Sequence, residues 1–135
     1  MATFTKIFSF SEALAEKVHN LGSDTLTIAL TNTAHTTSWT QLSDLTEVAY
    51  TNLSARVITT TTSAQTAGTY KLVLADLVLT ASGAVGPFQY VYIYNDSATN
   101  DELIGYYDYA SAVTMADGDT FTIDFDPSAG ALTLV

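Results

Sequence analysis

From about Thr69 to Val135, apolar and polar residues alternate in strand-length blocks separated by Gly, Pro, Asn and Asp. Phe121, Ile123 and Phe125 interleave with Thr120, Thr122, Asp124 and Asp126 without interruption. Successive side chains of a strand point to opposite faces, so this block predicts a strand with one buried face and one wet, acidic face. The pattern makes the chain mainly β. No catalytic or cofactor signature stands beside it.

Size and charge narrow the possibilities further. A chain of 135 residues suits one domain spanning 1–135, large enough to bury most of the apolar surface of its strands. Four Lys and Arg face fourteen Asp and Glu, a formal net charge of −10. Such a surface repels phosphate backbones and anionic lipid, which argues against nucleic acid or membrane as partner. The apolar run Leu72 to Leu79 is broken by Asp76 and falls far short of the roughly 20 residues that span a bilayer. The opening Met1-Ala2-Thr3-Phe4-Thr5-Lys6 lacks the regions of a signal peptide, so synthesis in the cytoplasm is expected. Without cysteine there are no disulfides and no thiolate-bound zinc.

One helix is predicted near the start. Ser9 precedes Glu12 by three residues, the spacing of a capping box, and Phe10, Leu14, Val18 and Leu21 form one apolar stripe. Lys17 and His19 suit the last turn and Gly22 suits the stop, giving a helix from about Phe10 to Asn20. It is expected to lie across the sheet or the barrel end, ahead of serving as a free partner-binding helix.

Leu26, Ile28 and Leu30 alternate with Thr25, Thr27 and Thr31 in the first strand. Asn32 to Asn52 reads either as a short helical turn or as a long ordered loop, and a loop of that length is commonly functional or poorly ordered. Val57 to Thr62 reads as a Thr-rich strand and Ser63 to Gly68 as a turn. Between Tyr70 and Leu79 the apolar phase shifts, which calls for a bulge near Asp76 or a strand passing between two sheets. Phe88, Tyr90, Tyr92 and Tyr94 interleave with Val91 and Ile93, so both faces of that strand are apolar: it is central in a sandwich or covered by a neighbouring subunit. Leu103 to Tyr109 and the close at Leu132 and Leu134 complete about eight short strands. The expected fold is an antiparallel β-sandwich, jelly-roll-like, with one N-terminal α-helix.

Candidate sites are sparse. His19 and His35 are the only histidines, with no carboxylate at a ligand spacing, so each reads as structural or solvent-facing ahead of metal binding or catalysis. No Gly-x-Ser-x-Gly turn exposes a nucleophile. Asp117 and Asp119, or Asp96 and Asp101, could offer oxygen ligands to calcium, but neither segment follows the EF-hand order and Asp is an ordinary turn residue. Asp124 and Asp126 share a strand face as glycosidase acids could, although a solvated face predicts the same pattern. No cofactor, catalytic or metal residue is therefore assigned. The aromatics are more informative: Tyr106, Tyr107 and Tyr109 could pack the core, build an intersubunit interface or form a glycan platform. Trp39 is the residue most expected to be buried in an interface, followed by Phe88, Tyr90, Tyr92, Tyr94 and Tyr107.

Phe10-Ser11-Glu12-Ala13-Leu14-Ala15-Glu16-Lys17-Val18-His19-Asn20-Leu21-Gly22-Ser23-Asp24-Thr25-Leu26, followed by Ile28-Ala29-Leu30-Thr31-Asn32-Thr33-Ala34, resembles the start of a group of small tailed-bacteriophage virion proteins. Ser63-Ala64-Gln65-Thr66, Gly86-Pro87-Phe88, Tyr94-Asn95-Asp96, Leu103-Ile104-Gly105-Tyr106-Tyr107-Asp108-Tyr109 and the close from Phe121 to Leu134 are similar to it as well. Trp39 to Arg56 departs most, being shorter than the Gly-rich stretch of that group, so partner contacts in that loop are not carried over. The resemblance implies a non-enzymatic structural protein of the virion, a capsid decoration (cement) protein. It would be made in the host cytoplasm, lie on the capsid surface, and bind the major capsid protein or copies of itself. The competing expectation is a tail-tip or fibre-associated module that binds host-surface glycan, which the clustered Tyr and Trp would also suit.

Overall fold

A computed structural model describes residues 2–135, and the chain is mainly antiparallel β, as the alternation predicts. In chain order it has β1 (Phe4–Lys6), α1 (Phe10–Ala15), β2 (Leu26–Thr31), a 3-10 turn (Leu42–Asp44), β3 (Val57–Ile58), β4 (Thr60–Thr66), β5 (Thr69–Leu74), β6 (Leu77–Thr80), β7 (Val85–Asn95), β8 (Leu103–Met115), β9 (Thr120–Ile123) and β10 (Leu132–Leu134). A five-stranded sheet runs β1-β8-β7-β2-β3. Smaller sheets β10-β5-β4 and β6-β9 complete a sandwich-like arrangement.

Cross-strand register sorts the side chains of the large sheet, because directly paired residues point to the same face. Ile28 pairs with Ile93, Leu30 with Val91, and Val91 with Tyr107. This first face belongs to the same buried cluster as Leu72 and Leu74 of β5, Leu79 of β6, Ile123 of β9 and Phe125, and Tyr107 lies 6.1 Å from the Phe125 ring. Phe88 meets Phe121 edge to face at 5.3 Å. Ala29 pairs with Tyr92, Thr31 with Tyr90 and Tyr92 with Tyr106, which puts the tyrosine row on the second face. All six residues of β2 are buried, threonines included, so that second face is covered too.

Several local expectations are corrected. The helix stops at Ala15 because Lys17 adopts φ 69°, with Val18 N donating to Ala13 O at 2.8 Å and Lys17 N to Leu14 O at 3.3 Å. These two bonds form a Schellman close with Lys in the position usually given to Gly, so Gly22 is not the stop. Ser9 is the N-cap residue, but its backbone is α-like and its side chain makes no capping bond, since capping requires an extended residue there. The short helix packs on β8 and buries Phe10. Val57 to Thr62 is not one strand: the chain leaves the large sheet after Ile58 and joins the small one at Thr60. The phase shift near Asp76 is the passage of the chain from β5 to β6, two strands of different sheets. Asp76 marks the crossing, its carboxylate accepting a bond from Phe125 N at 2.8 Å. The uninterrupted alternation of Thr120 to Asp126 supports a shorter strand than expected, ending at Ile123, although Phe125 is still buried.

Ser63 to Thr66 are extended, and the hairpin turn is only Ala67-Gly68, both with positive φ (52° and 85°). A two-residue turn of that hand matches strand twist and favours Asn-Gly, whereas Ala in the left-handed region costs about 1–2 kcal/mol. Replacing Ala67→Asn is expected to stabilise the chain by about 0.5–1 kcal/mol. Thermal unfolding reads this as a midpoint raised by a few degrees; an unchanged or lower midpoint would contradict the turn geometry.

Candidate functional site

The second face of the large sheet is where the aromatic residues singled out in the sequence converge. Tyr92, central on β7, is fully buried, and its ring stacks on Tyr106 of β8 at 5.2 Å. The chain between β2 and β3 crosses over this row and brings two further rings. His35 stacks on Tyr106 at 4.4 Å, and its Nδ1 lies 2.9 Å from the Tyr92 hydroxyl. Trp39 meets His35 edge to face at 5.7 Å and Tyr92 at 6.2 Å. Trp39, His35, Tyr90 and Tyr106 stay half-buried, so together they present a patch of ring surface to solvent.

The covering loop is ordered because it is bonded along its length. Thr31 Oγ1 donates to Thr46 O at 2.6 Å, Val48 N to Leu30 O at 3.0 Å, and Leu103 N to Thr40 O at 3.0 Å. The Tyr50 hydroxyl accepts from Leu30 N at 2.9 Å and donates to Glu47 Oε1 at 2.7 Å. Arg56 stacks its guanidinium 3.8 Å over the Tyr50 ring and donates Nη1 to Ile28 O at 2.6 Å. These contacts hold cationic and aromatic groups against sheet carbonyls and amides that β3, only two residues long, leaves unpaired.

Electrostatically the patch is neutral at its centre and acidic at its rim. Burial lowers the His35 pKa, which favours the uncharged ring. Burial also pushes the Tyr50 and Tyr92 phenols well above their ordinary value, so both stay protonated. At the rim Gln89 Nε2 donates to Asp108 Oδ1 at 2.9 Å and lies 3.3 Å from the Tyr90 hydroxyl. That bond, together with Ala110 N on the same carboxylate, lowers the Asp108 pKa. The arrangement offers stacking surface, hydroxyls, an amide and a carboxylate, a set suited to contact recognition.

Of the expected interface residues, Trp39 and Tyr90 remain partly open, while Phe88, Tyr92, Tyr94 and Tyr107 are buried within their own chain. Of the two covers the sequence allowed for β7, a central place in the sandwich or a neighbouring subunit, the fold supplies the first, and the chain's own loop lies over the second face. The hydrogen-bonding edges of β7 are closed to a second copy, since β2 and β8 occupy both. His35, Tyr50 and Arg56 were not expected here, and of the tyrosines weighed for core, interface or glycan contact Tyr106 is the one in the row. The period of two that puts Tyr90, Tyr92 and Tyr94 on one face also separates Tyr106 from Tyr107, and this parity was the available signal.

Asp119 and Asp126, one member each of two of the acidic pairs, act as turn residues. Asp119 Oδ2 accepts from Ala116 N at 2.8 Å, and Asp126 Oδ1 from Ser128 N and Ala129 N at 2.8 and 2.9 Å, which holds the Asp126 carboxyl below its usual pKa. Among the described residues no three His, Asp or Glu side chains gather into a metal-binding group, and no helix is long and apolar enough to cross a membrane. No protein-family model, curated protein or solved structure matches this chain.

Proposed function

We propose that this chain is a non-enzymatic structural protein of a tailed-phage virion that binds the outer capsid lattice and stabilises the shell. The location rests on the sequence resemblance; the mode of action rests on the geometry. The observation that carries it is the half-buried Trp39 patch on a loop tied to a stiff sheet. Such rings can enter a pocket on a coat subunit with little loss of side-chain freedom, because stacking already holds them. The acidic body is steered toward basic regions of a coat surface.

Contact with further copies would use β4. Its outer edge pairs with no strand among the described residues, and Thr60 to Thr66 carry no charge that would repel a second acidic chain. The second reading is a tail-tip or fibre-associated module for host-surface glycan. It is favoured by Gln89 and Asp108 beside the Tyr90 ring, since amide and carboxylate groups next to an aromatic face can bind sugar hydroxyls. Imaging purified particles with a label on this protein separates the two readings. Label spread over the head supports the decoration role; label confined to the tail supports the glycan module and ends the first reading.

A further inference from the structure

Beyond the end of α1 the chain runs through Glu16 to Thr25 before entering β2, and His19 is its buried anchor, only 5% exposed. The imidazole stacks on Phe10 at 5.3 Å. Its Nδ1 lies 3.0 Å from Nδ2 of Asn95, the last residue of β7 and itself fully buried. The orientation of that amide is set by two other neighbours. Ser97 N can only donate, and it lies 2.9 Å from Asn95 Oδ1. The Asp24 carboxylate accepts, and its Oδ2 lies 2.6 Å from Asn95 Nδ2. The NH2 group therefore faces His19, so Nδ1 must accept and the imidazole proton must sit on Nε2.

The charged surroundings of this ring are few. Glu102, at the entrance to β8, and Asp24, on the ring's own segment, both favour the imidazolium. Lys17, two residues away, is exposed. Asp24 is already engaged, accepting from Asn20 N at 2.7 Å as well as from Asn95. His19 Nε2 and Glu102 Oε2 are both buried without a hydrogen-bond partner among the described residues. Beside the ring an open groove of about 800 Å³ runs between Leu14, Val18 and Leu21 on one side and Tyr70 and Leu134 on the other. The segment is thus held on the Asn95 side, and by Leu21 in the core, while its other side borders open space.

We propose that His19, Asn95, Asp24 and Glu102 form an acid-sensitive latch, in which neutral His19 holds the Glu16–Thr25 segment against the end of β7 and protonation releases it. A proton added at Nδ1 would oppose the Asn95 NH2 group, donor against donor. Asn95 cannot turn its amide without surrendering both Ser97 and Asp24. Once the segment swings toward the groove, the imidazolium is hydrated and keeps Asp24 on its own segment, so release from burial lets the open state bind the proton more tightly. The sign follows from desolvation, the largest influence on His19, which lowers its pKa in the folded chain despite Glu102 and Asp24. The open state then binds more protons than the closed one. Latch stability is complete above the ordinary histidine value of 6.5 and is lost as pH falls through the lowered folded value.

The test uses the full chain with 15N-labelled histidine. Imidazole nitrogen shifts at pH 8 are expected to show His19 with its proton on Nε2. On acidification, amide exchange across Glu16–Thr25, corrected for the intrinsic rate, should accelerate by up to about tenfold per pH unit, the limit for one proton. The paired strands β2 and β7 should stay protected over the same range. A His19 proton on Nδ1, or protonation of His19 without faster exchange in that segment, would overturn the latch. Asn95→Asp replaces the opposing donor with an acceptor and sets a second carboxylate against Asp24, a repulsion that a charged His19 between them relieves. The His19 pKa should then rise above its ordinary value, and acid should tighten the segment instead of loosening it. An Asn95→Asp chain that folds and keeps the original direction would count equally against the proposal. The wild-type titration decides the matter for a variant that fails to fold.

Discussion

Tyr92→Ala is expected to destabilise the isolated chain by about 3–5 kcal/mol, the usual loss for a deleted core aromatic. Against a typical total of about 5–15 kcal/mol, this is the largest single effect the structure implies for the aromatic face. The ring is fully buried between the large sheet and the loop that crosses it, stacked on Tyr106 and in contact with Trp39. Its removal leaves a cavity under the loop and strips the His35 Nδ1 of its partner. Tyr92→Phe keeps the ring and loses only the hydroxyl, so it should cost about 1 kcal/mol. Urea unfolding measures both. A Tyr92→Ala loss below about 1 kcal/mol would mean that the loop does not seal this face in the free chain and that a partner does.

Trp39→Ala should act on the other side of the same patch, on attachment more than on folding. A central aromatic anchor is typically worth about 2 kcal/mol or more of binding, which is about a thirtyfold loss of affinity. Because Trp39 is only half-buried in its own chain, the cost to folding should be smaller than that of Tyr92→Ala. Val78→Ala, an exposed position on β6 in a different sheet, is the control and should leave attachment unchanged. Equal binding by the Trp39→Ala and Val78→Ala chains would remove the patch from the account. His19→Ala would not serve as a second control, because His19 is buried against Asn95.

The strands were legible wherever hydrophobic period and sheet geometry agree. β2, β7 and β9 follow their alternation, and the break at Asp76 correctly marks a change of sheet. Two of the misplaced boundaries share a physical cause: residues in backbone conformations that their side chains disfavour. Lys17 and Ala67 take positive φ without being Gly or Asn, so neither the helix end nor the hairpin turn carried its usual signal. Ser63 to Thr66 read as a turn because they are small and polar, yet an exposed edge strand accepts the same residues. For the candidate site, the two apolar faces of β7 were visible but their cover was not. His35, Trp39, Tyr50 and Arg56 come from an aperiodic loop, and the meeting of the first two with Tyr92 and Tyr106, and of the last two with the β2 backbone, depends on a crossing that no period encodes.

Attachment to the shell is most directly measured by mixing the purified protein with phage shells that lack it, then recording occupancy and heat resistance. A single standard interface of about 800 Å² per partner can be weak alone, but contacts to two or three neighbouring coat subunits raise the effective concentration. Saturable occupancy is expected, with shells that survive higher temperature as occupancy rises and loss of both effects with Trp39→Ala. Shells that stay bare and gain no heat resistance at saturating protein would contradict it.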